Sequence, residues 1–294
     1  MAGLAPEVSA WQSLGVQMST FGHSIHVHLR EPRGPAVGGP TVVLLHGYPS
    51  SSYDWRHVMD LLPNVRMLTF DFLGFGLSDK PRGHEYSLFE QADITTEVLR
   101  AHTSGPIVVV AHDMGTSVAT ELMARDALGS LDLPLAHVVL FNGSVIIARA
   151  SLRPIQRLMR GPLGPVVSLL ANKPMFVRQL GAVFSPAHPL TPAEADAQWA
   201  LLSYQDGHRQ VHRLSSYLHE RVRHAERWNS AVREWHGRVD FIWGLLDPVA
   251  TTSVLAGLCE LRPSAEVIKL PNLGHYPHLE NPPAFAEALA KLLA

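Results

Sequence analysis

Short apolar runs and helix-spaced apolar positions alternate along most of this chain. Residues 41–45, 65–70, 107–111 and 137–141 are brief apolar runs, the pattern of strands buried on both faces. Between them, 52–62, 88–102 and 116–128 repeat apolar residues at helical intervals. Ahead of these, 21–29 alternates in part, with Ile25, Val27 and Leu29 set against His26 and His28, and predicts an edge strand or hairpin arm. A Pro/Gly loop is expected over 32–40. Strands and helices taking turns predict an α/β fold with a mostly parallel, doubly wound sheet.

The pattern changes after the fourth run. From 149 to 236 there is no buried strand pattern, and Pro154, Pro162, Pro165, Pro174, Pro186, Pro189 and Pro192 cut the segment into short pieces. Helical stretches are expected at 193–204 and 211–223. We read a helical lid inserted into the core and lying over the sheet. Alternation resumes with a strand at 239–243, a helix at 252–261, a strand at 266–270 and a closing helix at 283–293. The expected domains are therefore a core of 1–148 and 237–294, split by a lid of 149–236.

Four segments fall at strand C-terminal ends, where open α/β sheets place their sites. They are Leu45-His46-Gly47-Tyr48-Pro49, the elbow His112-Asp113-Met114-Gly115, Trp243-Gly244-Leu245-Leu246-Asp247-Pro248, and Asn272-Leu273-Gly274-His275-Tyr276-Pro277. The elbow has the layout of a sharp strand-to-helix turn that lifts one side chain above a sheet. Ser is the usual occupant of its centre; here it is Asp113. In chain order the candidates are nucleophile Asp113, acid Asp247 and base His275. Asn142, after the preceding strand, is an amide and cannot serve as the acid.

These motifs, with the turn Asp71-Phe72-Leu73-Gly74-Phe75-Gly76-Leu77-Ser78-Asp79, resemble α/β-hydrolases over nearly the whole length. The resemblance is to the Asp-nucleophile branch that holds epoxide hydrolases and haloalkane dehalogenases. Within it, His112-Asp113, Asn142-Gly143, Gly244-Leu245-Leu246-Asp247-Pro248-Val249 and His275-Tyr276-Pro277-His278-Leu279-Glu280 are similar to the mesoderm-specific-transcript-like group. The resemblance implies an oxyanion hole made by the backbone N–H groups of Tyr48 and Met114.

The residue type sets the chemistry. A carboxylate with an ordinary pKa of about 4 is already anionic at neutral pH and needs no base for its own attack. Attack on a carbonyl would give a mixed anhydride, which is uphill. Attack on an sp³ carbon gives an ordinary ester with Asp113. Water then cleaves that ester, with His275 as general base and Asp247 orienting the imidazole. The electrophile needs ring strain or a good leaving group.

A leaving halide needs weak N–H donors. Dehalogenases of this branch commonly carry Trp after the nucleophile and Asn after the His-Gly of the oxyanion loop, where this chain has Met114 and Tyr48. Met114 has no side-chain donor. An opening epoxide needs an acid for its alkoxide, and a phenol suits that role. Tyr217 is the expected lid donor, with Tyr204 second. The earlier lid Tyr and the Trp after the nucleophile, usual in epoxide hydrolases, are missing. Epoxide hydrolysis to a vicinal diol is the expected reaction. The alternatives are carbon–halogen hydrolysis and, from another class, a ligand-binding protein of this fold with weak turnover.

Composition narrows the partners. With 24 Lys and Arg against 26 Asp and Glu, the net charge is −2 and no basic stripe suits nucleic acid. The nearest candidate, Arg221-Val222-Arg223-His224 with Arg227, is expected to be a solvated helix face. The single Cys, Cys259, is expected to be a small buried residue, and no intrachain disulfide is possible. No apolar run is long enough for a membrane span, and no leader pattern opens the chain, so a cytoplasmic location is expected. His26 and His28 share a strand face without a partner cluster, and His46 and His112 are expected to make structural hydrogen bonds. The Gly74-Phe75-Gly76 turn lacks the spacing and Lys of a phosphate loop. We expect no metal or cofactor, only a small apolar organic substrate and water; the oligomeric state is left open.

Overall fold

The computed structural model describes residues 4–34, 39–151, 158, 161 and 163–294. Pro154, Pro162 and part of the 32–40 loop lie outside the described residues. Among those described, eight strands form one sheet in the order β1-β2-β4-β3-β5-β6-β7-β8. β1 (Val16–Thr20) and β2 (His23–Arg30) form a hairpin, and β2 runs antiparallel to β4 (Met67–Phe70). The remaining pairs are parallel, through β3 (Thr41–Leu45), β5 (Ile107–His112), β6 (Leu135–Phe141), β7 (Arg238–Gly244) and β8 (Val267–Leu270). The mostly parallel, doubly wound sheet is the one that the hydrophobic pattern predicts.

From β3 the chain crosses to β4 on one side and then to β5 on the other. The winding direction therefore reverses between β3 and β5. Such a reversal leaves a crevice beyond the strand ends, and the 46–49 loop and the elbow open into it. β3 shows why its run is continuously apolar. Val43 and Leu45 join the core on one face of the sheet, and Val42 and Leu44 join the core on the other.

Several expectations change in detail. The 21–29 strand is an inner hairpin arm, because β1 covers it; β1 went unread since most of its positions face solvent. The two-residue turn Phe21-Gly22 has φ of +49° and +77°, the left-handed pair that a tight hairpin requires. An unpredicted helix, α1 (Pro6–Leu14), buries little beyond Val8 and Trp11. The expected 52–62 helix splits into a 3-10 turn, Ser52–Trp55, and α2 (Arg56–Leu61), with Asp71 Oδ1 accepting from Ser52 N at 2.7 Å. Cys259 is only partly buried, packed against the core from the helix Thr252–Leu261.

Between β6 and β7 the described residues contain helices and no strand. The expected 211–223 helix is broken into Val211–Leu214 and Tyr217–Arg223. Two serine hydroxyls at the break take carbonyls: Ser215 donates to His212 O at 2.7 Å, and Ser216 to Tyr86 O at 2.9 Å. The last helix of this stretch, Ala225–Glu234, packs on the core helix that follows the elbow, with Trp228 Nε1 donating to Glu121 Oε2 at 3.0 Å. It flanks the core and does not roof the crevice.

Candidate active site

β5 ends at His112, and the helix after it, α3 (Met114–Ala127), starts one residue past Asp113. The single linking residue has φ +39° and ψ −107°. A non-glycine residue there costs on the order of 1–3 kcal/mol and persists only where its surroundings impose it. Those surroundings are close. A Cβ on Gly115 would lie 2.7 Å from His46 O and 2.9 Å from Leu45 O, so only glycine lets α3 start against the end of β3. Likewise a Cβ on Gly47 would lie 2.8 Å from Asp113 Cβ. That gap brings the 46–49 loop onto Asp113, and Tyr48 N donates to Asp113 Oδ2 at 3.0 Å. Met114 is buried at the first position of α3, where a backbone N–H has no partner within the helix.

The other two sequence candidates meet directly. His275 Nδ1 donates to Asp247 Oδ2 at 2.7 Å. Asp247 Oδ1 accepts from Val249 N at 2.7 Å and Ala250 N at 3.0 Å. Asn142 fills the remaining position, donating Nδ2 to Asp247 Oδ2 at 2.9 Å while its Oδ1 accepts from Gly244 N at 2.9 Å. The amide after β6 thus braces the Asp247 carboxylate. Burial alone would push the His275 imidazole down. The charge and hydrogen bond of Asp247 outweigh it, helped by the charges of Asp113 and Glu280, and the pKa stands above the ordinary value. Asp113 and His275 line the same cavity.

Two neighbouring histidines are neutral spacers. His46 Nδ1 donates to Gly47 O at 2.8 Å, and its Nε2 accepts from Phe72 N at 3.0 Å. His112 Nε2 donates to His275 O at 2.8 Å. Burial pushes both imidazoles down, so they hold these tautomers without charge.

Two residues near the site escaped the sequence reading. Arg221, expected on a solvated face, is 1% exposed. Its Nη2 donates to Asp113 O at 2.6 Å, its Nε to Ser117 Oγ at 2.7 Å, and its Nη1 stands 3.7 Å from Asp113 Oδ1. Arg227, in the same group, binds Glu121 through Nε at 2.7 Å. The charge run hid this because a guanidinium in a lid reads as solvated until its tertiary partner is known. Glu280 is the second. It accepts from Gly274 N at 2.8 Å, Ser185 N at 3.0 Å and Tyr276 N at 3.1 Å, tying the His275 loop to the lid. Its signal was the carboxylate five positions after His275.

The cavity above Asp113 has a volume of about 140 Å³, near that of an engineered apolar pocket that takes benzene. Met175, Phe176, Leu180, Trp199 and Leu202, from the segment between β6 and β7, make most of it apolar. Tyr217 and Tyr204 are not among the residues that line it. Tyr217 packs 5.6 Å from the Tyr48 ring and under the Arg221 guanidinium, while Tyr204, partly buried, packs against the core under Lys80. The lining phenols are Tyr48 and Tyr276. The Tyr48 hydroxyl donates to Val211 O at 3.3 Å and that of Tyr276 to Tyr48 O at 3.3 Å. Burial, then the Asp113 charge, pushes the Tyr48 phenol up; burial, then the Asp54 and Asp113 charges, does so for Tyr276. Both are phenols at neutral pH.

His26 and His28 are buried in β2, and the His28 ring packs 4.2 Å from Trp11. Among the described residues, His23, His84 and Glu90 bring ligand atoms within 4.8 Å of one another, outside the cavity lining. No described helix is long and apolar enough to cross a membrane.

The sequence signature of the alpha/beta hydrolase family matches residues 42–288. The chain is 55% identical over 289 residues to the putative hydrolase LipZ of Mycobacterium tuberculosis, covering 98% of this chain and 99% of that one. It is 35% identical over 295 residues to the human mesoderm-specific transcript homolog protein, covering 97% and 87%. In fold it is similar to haloalkane dehalogenase DbeA from Bradyrhizobium elkani, with TM-score 0.79 at 21% identity over 95% of this chain and 97% of that one. An elbow, a bound acid–imidazole pair and a match spanning most of the length lead to one conclusion: the chain belongs to the alpha/beta hydrolase family and is a hydrolase of that superfamily.

Proposed function

We propose that this hydrolase works through an alkyl ester on Asp113 and opens epoxides to vicinal diols. The observation that carries the reading is the carboxylate at the elbow, with Oδ2 already on the Tyr48 N–H. Oδ1 is then the attacking oxygen. It forms a bond to an epoxide carbon as the ring C–O bond breaks, and the new alkoxide takes a proton from a phenol. Tyr48 and Tyr276 replace Tyr217 and Tyr204 as the donors we favour, because they line the cavity and burial keeps them protonated.

In the second half, water adds to the Asp113 carboxyl carbon and passes a proton to His275. The Tyr48 and Met114 N–H groups hold the tetrahedral oxyanion; one such donor is worth roughly 2.7–4 kcal/mol in other hydrolytic enzymes. Collapse breaks the acyl C–O bond, and the diol leaves with the His275 proton. The acidic proton of the regenerated carboxyl returns to the phenolate. The apolar lining suits a small apolar epoxide.

A second reading, carbon–halogen hydrolysis, keeps one supporting observation. Trp199 brings an indole to the cavity from the lid. The experiment is single turnover in ¹⁸O water with an epoxide panel and a haloalkane panel. Label should enter the Asp113 carboxylate and diol should form. Chloride or bromide release without diol would move the function to the second reading, and turnover that leaves Asp113 unlabelled would remove the covalent route.

A further inference from the structure

We propose that His23, His84 and Glu90 form a binding site for one zinc-type divalent ion, which pins the docking seam of the lid to the first hairpin. The site is independent of the reaction proposed above.

The three residues come from separate elements. His23 opens β2 after the Phe21-Gly22 turn, His84 lies in the loop before the helix Leu88–His102, and Glu90 lies in that helix's first turn. One ligand atom from each falls within 4.8 Å of the others. His84 Nε2 is 2.9 Å and 2.8 Å from the two Glu90 oxygens. The His23 ring stands edge-on to His84, with centroids 5.5 Å apart. A histidine–carboxylate ion pair uses only two of these residues. A metal ion uses all three. Tetrahedral zinc with bonds of about 2.0–2.2 Å sets its ligand atoms roughly 3.3 Å apart, and the three ligand atoms here already lie within 4.8 Å of one another. Two imidazoles and one carboxylate, with water in the fourth position, suit zinc and related borderline ions better than calcium or magnesium. All three residues are half-buried, so the ion would be partly shielded and still reachable.

The position gives such an ion a consequence. The loop carrying His84 is where the lid docks. Ser216 Oγ donates to Tyr86 O at 2.9 Å, and Arg82 pairs with Asp206 at 2.8 Å. Glu220 accepts from Ser87 Oγ at 2.7 Å and Leu88 N at 2.6 Å. An ion joining His84 and Glu90 to His23 would fasten this seam to the core sheet and raise the melting midpoint by binding the folded state.

The test is calorimetric titration of the metal-stripped full chain with zinc chloride, with thermal melts beside it. His23→Ala, His84→Ala and Glu90→Gln are compared with His236→Ala, which alters an exposed histidine elsewhere. One tight equivalent should bind to the parent and to His236→Ala. Each site variant should lose roughly 100-fold or more in affinity, since even residues that only support metal ligands are worth 10–100-fold. Zinc should raise the parent midpoint and leave the site variants unmoved. All variants should melt like the parent with chelator present; if His23→Ala does not, His23→Asn takes its place. No saturable equivalent, or a tight one that survives the site substitutions, would overturn the site. Binding without a rise in the midpoint would overturn the pinning.

Discussion

Arg221 lays its guanidinium on the main-chain carbonyl of Asp113, at 2.6 Å, with another nitrogen 3.7 Å from the carboxylate of the same residue. The helix Tyr217–Arg223 thus holds both the strained backbone and the charge of the elbow. A buried charge is costly without partners, and here each supports the other. The fork geometry matters as well, because Nε also reaches Ser117. We expect Arg221→Gln to lose roughly 3–5 kcal/mol of stability, the cost of breaking a buried ion pair. Arg221→Lys keeps the charge and loses the fork. It should fold and lose at least about tenfold in kcat, equivalent to 1.4 kcal/mol of misplacement at the elbow. Chemical denaturation and steady-state kinetics with an epoxide read the two effects separately.

The two halves of the proposed reaction make different demands on His275. Ester formation requires none; ester cleavage does. His275→Gln should therefore react once and stop, leaving a stable adduct on the Asp113 peptide with the mass of the substrate. Asp113→Asn should form no adduct and lose on the order of 10⁴-fold or more in kcat, as nucleophile removal does elsewhere. Intact-protein and peptide mass spectrometry check both. Diol formation by His275→Gln at the parent rate would refute the base assignment.

A pH dependence follows from the same imidazole. Its pKa is raised in the folded protein, so it is protonated over a range extending above 6.5, and only the neutral form can take a proton from water. Ester cleavage should fall on the acid side as His275 becomes protonated, with Asp247 holding the midpoint up, while ester formation continues. Alkyl-enzyme should accumulate as pH is lowered through that midpoint, visible as a burst of one equivalent. Asp247→Asn should move the midpoint downward, because it removes the leading cause that raises it.

Asn142 braces the acid with one amide. Its Nδ2 donates to Asp247 Oδ2 at 2.9 Å and its Oδ1 accepts from Gly244 N at 2.9 Å. Asn142→Ala would leave the buried Gly244 N–H without its partner and should cost roughly 1–3 kcal/mol. Its position has φ +44°, which Asn tolerates better than most residues. Asn142→Gly should recover part of the backbone cost and none of the hydrogen bonding. Urea denaturation of the two variants measures the split.

Stability should also depend on pH through the buried neutral histidines. Burial pushes His26, His28, His46 and His112 below 6.5, with His28 lowered to about 4. The unfolded chain takes up those protons near 6.5 and the folded chain does not. Stability from these groups is therefore full above 6.5 and declines as pH falls toward the folded values. Each contributes a slope of at most about 1.4 kcal/mol per pH unit in that window. Denaturant midpoints between pH 7 and 4 should show it, and His28→Asn should make the slope shallower.

The core strands and the helix Leu88–His102 were legible because each satisfies a local rule. A strand buried on both faces must be apolar throughout, and a helix with one buried face must repeat at 3.6 residues. β1 and α1 failed the same test because they bury too few residues to leave a period. The elbow, Asp247 and His275 were legible through turn chemistry at strand ends. The lid was not, because Pro-broken helices carry no register. Tyr217 and Tyr204 fall in stretches that the sequence pattern reads as helical, which gives no sign of their turning away from the cavity, and the break at Ser215-Ser216 is made by hydroxyls that compete for carbonyls.

Sequence by itself determined the alternation of the core strands and helices, the carboxylate at the elbow, and the acid and the histidine at two further strand ends. Those are properties of single residues and of short periods, and each is written in one stretch of chain. Tertiary structure decided which side chains between β6 and β7 face the cavity, which arginine is buried on Asp113, and which amide steadies Asp247. Such choices depend on distances between segments about a hundred residues apart, as from Asn142 to Asp247 and from Asp113 to Arg221. No local pattern encodes them, because the free energy that selects them comes from burying both partners together.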